Sequence, residues 1–355
     1  MDLSALIPLP DTIPVAWGWF QVLLIVTFIL HLLFMNTMLG STVIALFREF
    51  GNRDKPDEIS RDMSLKLPYT VAFTVNIGVA PLLFLQVLYG QFIYTSSVLM
   101  AVYWLSVVGL VMLAYYSLYI YDFKFDALGQ ARRIFIVIAA IFLLAVAFIF
   151  TSNMTLMMKP DQWTRYFTNP YGTLLNLKEA TLIPRYLHFV TGSIAVAGLF
   201  QAVIWQVRIG KQKLMAEKAI RNGLNWFFWA TIVQALTGLW FLTALQRDKM
   251  MLFMGADRLC TALFVIAVLC GASALIFAVK KNVWATLGAV ISTIVPMVLM
   301  RDCLRRAWLD PYFSPAALKV VPDYSPMILF LVSFGIGLAV IAYMLKIAAE
   351  SGKEA

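Results

Sequence analysis

The chain has 355 residues, of which 61% are hydrophobic and 13% charged, against roughly 45–50% and about 25% in soluble domains. Its mean hydropathy is +0.82. These figures exclude a soluble enzyme and a disordered chain and leave a polytopic membrane protein. The net charge is +9, and there are two histidines, His31 and His188, and three cysteines, Cys260, Cys270 and Cys303. Without Cys-x-x-Cys-His there is no c-type heme attachment by that motif, and the cysteines lack iron–sulfur or zinc spacing. The two histidines are therefore the first candidates for any metal cofactor.

A transmembrane helix needs about 20 apolar residues. The sequence predicts about nine, over 17–47, 68–90, 98–120, 134–154, 182–206, 223–245, 259–279, 283–300 and 326–346. The leading segment has no basic n-region and carries Pro8, Pro10 and Pro14, which argues against a cleaved signal peptide. No repeat or linker divides the chain, so 1–355 reads as a single polytopic all-α domain. Basic residues set the orientation. With the N-terminus outside and the C-terminus inside, 17 of the 28 fall on the inner side, including Arg48, Arg53, Lys55, Arg61, Lys66, Arg208 and Lys211. The positive charge is thus a topology signal in a bilayer and not a nucleic-acid footprint.

Polar groups inside spans are costly and mark function. At about 1.5 Å per residue, His31 lies roughly 25 Å above Arg48, and His188 roughly 30 Å above Arg208. Both fall in the outer half of the bilayer. Arg185 sits one turn before His188, Arg258 and Cys260 open the seventh span, and Asp302 and Arg305 close the eighth at that level. Imidazole is a normal axial ligand of heme iron, and arginines at the same depth would neutralise its propionates. Depth alone does not separate one shared heme from two. The outer segment 155–181, with Lys159, Asp161, Trp163, Arg165 and Glu179, is the expected contact for a redox partner.

Several short motifs are similar to those of subunit I of the cytochrome bd quinol oxidases. His31 opens HLLFMNTMLG, resembling the family's first-span H-x-L-F-x-x-x-x-L-G. The pieces RDM (61–63) and NIGVA (from Asn76) resemble its approach to the second span, and SNMTLMMKP (152–160) the end of its fourth. PRYLH, ending at His188, resembles K-F-V-H, and DRLC, ending at Cys260, lies where the family has F-R-I-M. DCLRRAW, from Asp302, resembles E-x-G-R-Q-P-W. The resemblance implies heme-iron ligation by His31 and His188, with Cys260 in the place of a ligating methionine and Asp302 in that of a ligating glutamate. Met250, Met251 and Met254 lie nearby as substitutes for that methionine.

The departures bear on activity. The family's second-span carboxylate falls on Gln86, a residue able to hydrogen-bond a quinone, and the third span has no acid at the family's proton-delivery positions. The outer loop that binds quinol in the family shrinks to 246–258. Reducing oxygen at a buried heme needs proton delivery, which a carboxylate-poor span supplies badly. The expected function is therefore a heme-b membrane subunit, with one or two hemes, in a bacterial or archaeal cytoplasmic membrane. It would pass electrons between quinone or menaquinone and a periplasmic cytochrome c or other redox protein, alongside further membrane subunits. A true bd-type oxidase subunit I and a heme-free quinone-binding anchor are the alternatives.

Overall fold

The computed structural model describes residues 3–51, 58–210 and 213–354, and it is all helical apart from one short bridge. Arg53, Lys55 and Lys211, used above for orientation, lie outside the described residues. In lipid every backbone polar group must be satisfied within its own segment, so each apolar run closes into a helix. The long helices are α1 (Trp17–Gly51), α3 (Leu67–Leu99), α4 (Ala101–Phe123), α5 (Arg132–Met157), α6 (Leu182–Val207), α7 (Lys213–Ala244), α9 (Arg258–Val279), α10 (Val283–Leu309) and α11 (Ser325–Glu354). Two short ones, α2 (Glu58–Ser64) and α8 (Arg247–Met251), lie between them. Nine candidate spans are long and apolar enough to cross a membrane among the described residues. The chain is a multi-pass integral membrane protein.

Neighbours in sequence pair as antiparallel hairpins: α1 with α3, α4 with α5, α6 with α7, and α9 with α10. The main joint between the first four spans and the next four is α1 against α6. Small residues make these joints close, as expected where packing rather than hydrophobicity drives association. A side chain on Gly40 of α1 would collide with the Ser193 main chain and Ala197 of α6. A side-chain carbon on Gly198 would stand 2.7 Å from the Gly223 carbonyl, and one on Gly223 would stand 2.5 Å from that of Gly198. α11 is different: none of its apolar window is buried.

Some boundaries differ from expectation. α3 runs about two turns beyond the predicted end at 90, because its polar residues there find partners inside the protein. Thr95 bonds the Gln91 carbonyl and Ser96 bonds Asn153 at 3.1 Å. The helix carries Pro81 and a non-helical residue, Tyr89 (φ −137°, ψ 33°), which kinks it. α7 starts ten residues before the predicted span, because Ala216, Ala219, Ile220 and Gly223 form a buried helical stripe in its extension. The expected outer loop 246–258 is α8 followed by a π-helical turn, Leu252–Ala256, in which Gly255 takes φ 116°.

The two ends of the bundle are fixed by polar contacts. At the end where α1 finishes, buried Glu49 accepts from Tyr121 (2.9 Å) and Arg132 (2.8 Å), with the Arg133 Nε 3.9 Å away. At the opposite, proximal end, Ile13 and Val320 bridge the chain's start to the segment before α11. Segment 155–181 folds back over this end: Trp163 Nε1 donates to the Leu156 carbonyl at 2.9 Å, and Lys159 pairs with Glu179 at 2.5 Å.

Candidate functional site

His188 lies in the second turn of α6, and its Nδ1 is 3.0 Å from the Gln234 carbonyl of α7. A carbonyl only accepts, so Nδ1 carries the proton and donates, and the lone pair sits on Nε2. That is the arrangement by which a second-shell contact fixes the tautomer and aim of a metal-ligating histidine. The contact exists because Gly238, one turn after Gln234, has no side chain. A Cβ there would lie 3.0 Å from both Cε1 and Nδ1 of the ring. Gly192 plays the reciprocal part, since a Cβ on it would meet the Gln234 side chain at 2.6 Å.

A glycine notch also receives the His31 ring, without the hydrogen bond. The ring lies against Gly78 of α3, where a Cβ would stand 2.7 Å from Cε1 and 2.9 Å from Nδ1. Its buried Nδ1 has no hydrogen-bond partner. Each histidine therefore stands on the first helix of a four-span group, with its ring held in a glycine notch of the second.

Around and between the histidines lies an excess of guanidinium groups. Arg301 sits 4.3 Å above the Phe28 ring, and Phe28 is 6.4 Å from the His31 ring. Arg301 is also within electrostatic reach of Arg185, Arg305 and Asp302. Arg185 stacks on Phe241 at 5.0 Å and Arg305 on Tyr89 at 4.8 Å, and the Nε of each is buried without a partner. Among the described residues the one carboxylate in the cluster is Asp302, which pairs with Arg305 and, at 3.0 Å, with Arg306; Gln21 lies beside it. Glu179, in reach of Arg185, is taken by Lys159. Among the described residues, Arg185, Arg301 and Arg305 thus share one carboxylate, which the exposed Arg306 also contacts, and unmatched charge in a span is expensive. Such a cluster has the chemistry to receive an added anion.

Of the residues singled out in the sequence, His31, Arg185, Asp302 and Arg305 come together here, and His188 adjoins them one turn from Arg185. Asp302 is committed to arginines. Arg258 is exposed at the start of α9, and Gln86 is half-buried on α3, one turn before Tyr89. Cys260 is buried against Cys303 in an apolar cluster with Leu245, Phe253 and Leu304. Sequence reasoning missed Arg301, Gly78, Gly238 and Gln234. The Arg301–Arg305 spacing of one turn was a readable signal for the first, whereas the glycine notches depend on which helices pair. Among the described residues no group of three His, Cys, Asp or Glu side chains gathers as for a chelated ion.

No protein-family model and no curated protein matches the sequence. Among solved structures, however, the chain superposes on one from "The structure of bd oxidase from Geobacillus thermodenitrificans" with a TM-score of 0.70. The fold is that of a bd-type oxidase subunit. The match covers 92% of this chain and 96% of the other at 14% identity, so it speaks to fold alone. Both chains are matched nearly end to end and are of closely similar length.

Proposed function

We propose that this protein is a heme-b membrane subunit of a respiratory complex, carrying electrons between the quinone pool and a redox partner at its proximal face. The observation that carries the reading is the His188 site, where Nδ1–H bonds the Gln234 carbonyl and leaves Nε2 as a ligand. The repeat of that notch at His31 and the surplus of buried guanidiniums support it. The residues present fit the group. His188 and His31 would ligate iron, and Arg185, Arg301 and Arg305 would receive propionates as charge-assisted, fork-shaped donors. When bound, heme b supplies one-electron transfer.

The protein's own contribution is to hold and tune. The Gln234 carbonyl raises the basicity of the His188 ligand, the glycine notches make room for the two rings, and the guanidiniums favour the anionic group over water. Cys260, which the motif resemblance set at a ligating methionine, packs instead in the apolar cluster with Cys303, so it is not assigned to the His188 heme. On this reading the proximal end faces outside and the distal end, rich in Lys and Arg, faces the cytoplasm. The membrane would be a bacterial or archaeal cytoplasmic membrane. Gln86 would serve a quinone, and segment 155–181 would meet a cytochrome c or similar partner. Electron transfer is favoured over oxygen reduction because α3 and the membrane-embedded part of α4 contain no carboxylate before Asp122 near the distal end. A reduced quinol added to purified protein is expected to develop the α-band of ferrous heme b with little oxygen uptake. A preparation whose heme stays oxidised under quinol would refute the assignment.

A further inference from the structure

A cluster of soft donors lies in the proximal half of the second four-span group, outside the histidine sites. Cys260, in the first turn of α9, and Cys303, in α10, are 6% and 9% exposed. They pack in one buried cluster across the α9–α10 hairpin, and neither forms a disulfide. Two thioethers pack on the same cluster, Met250 from α8 and Met300 from α10, one turn from Cys303. Two more, Met251 and Met254, stand 38% and 55% exposed at the surface beside it. The segment carrying three of these methionines includes the π-helical turn and the positive φ at Gly255. Such turns are rare and concentrate at functional sites.

We propose that Cys260 and Cys303, with Met250 and Met300, form a binding site for a soft monovalent metal ion, cuprous copper by class, which Met251 and Met254 admit from the surface. Thiolate and thioether ligands select Cu(I) over the harder divalent ions. The apolar wall of Leu245, Phe253 and Leu304 excludes water and suits a site of low charge. Binding converts two thiols and one Cu(I) into a bis-thiolate complex and releases two protons, with no change in oxidation state.

This assignment does not rest on heme at His31 or His188. The test is anaerobic titration of the full chain in detergent with Cu(I) in competition with bicinchoninate. One Cu(I) per chain is expected, lost in the Cys260→Ser/Cys303→Ser double variant and weakened about 10–100-fold by Met250→Leu. The His31→Ala and His188→Ala variants should bind it unchanged, which separates this site from the heme reading. X-ray absorption on the copper-loaded wild type, expected to show a sulfur-only first shell, does not depend on any variant folding. No uptake after reduction of the thiols, uptake indifferent to both cysteines, or a nitrogen and oxygen shell would each overturn the proposal.

Discussion

Replacing Gly238 by alanine tests the His188 notch with a single methyl group. The new carbon would stand 3.0 Å from Cε1 and Nδ1 of the ring, inside the ~3.5–4.0 Å separation at which carbon atoms rest. The imidazole must give by about a few tenths of an ångström. Its 3.0 Å bond to the Gln234 carbonyl then stretches or breaks. Losing a second-shell partner of this type costs about 10–100-fold in metal affinity, or ~1.4–2.7 kcal/mol at about 1.36 kcal/mol per decade. Helix propensity works in the opposite direction, because alanine in place of glycine in a helix interior gains about 1 kcal/mol. A loss of heme from a helix that is intrinsically better formed therefore isolates the steric contact. Heme content would be measured by pyridine hemochrome after identical purification. Gly109→Ala provides the control, since nothing lies within 4 Å of a Cβ there. Unchanged heme content and an unchanged reduced spectrum in the Gly238→Ala variant would refute the notch as the positioning device.

Three further outcomes follow from the geometry. Glu49→Gln should lower thermal stability in detergent by about 3 kcal/mol or more, because Arg132 is left buried without its carboxylate; a melting temperature within a degree of wild type would count against it. Arg301→Leu should reduce heme retention more than Arg258→Leu, since Arg301 belongs to the guanidinium cluster and Arg258 is exposed; equal effects would show that the cluster holds no anion. Burial pushes the Glu179 carboxyl up, but hydrogen bonds from Lys159 and Thr181 outweigh it and hold the group below its ordinary value of 4.5. That contribution to stability is complete above the ordinary value and fades as pH falls through the depressed one. Wild type should therefore lose stability in acid more steeply than Glu179→Gln, and parallel pH–stability curves would disprove the contribution.

Most of the helical frame was legible because lipid imposes one rule, an apolar run long enough to cross. The boundaries that moved did so where polar residues found internal partners, as Ser96 did in Asn153, or where a short stripe such as Ala216–Ile220 packs beyond the apolar run. The candidate site was legible as far as residue type allowed. His31, Arg185, Asp302 and Arg305 stand out because charge in a span is rare, and the structure gathers them. Arg301 carries the same signal and lies one turn from Arg305. The glycine notches were not legible, because Gly78 and Gly238 differ from other span glycines only in the ring that rests on them. Nor does sequence tell that Cys260 faces Cys303, a contact made by the α9–α10 hairpin.

The account depends most directly on iron porphyrin bound through His188. The decisive measurement is pyridine hemochrome analysis of the purified chain beside its His188→Ala variant, normalised to protein. The expected result is b-type heme at one or two equivalents per chain, falling by one equivalent in the variant while the protein stays monodisperse. Heme-free wild-type protein, or equal heme in the two, would contradict the central claim.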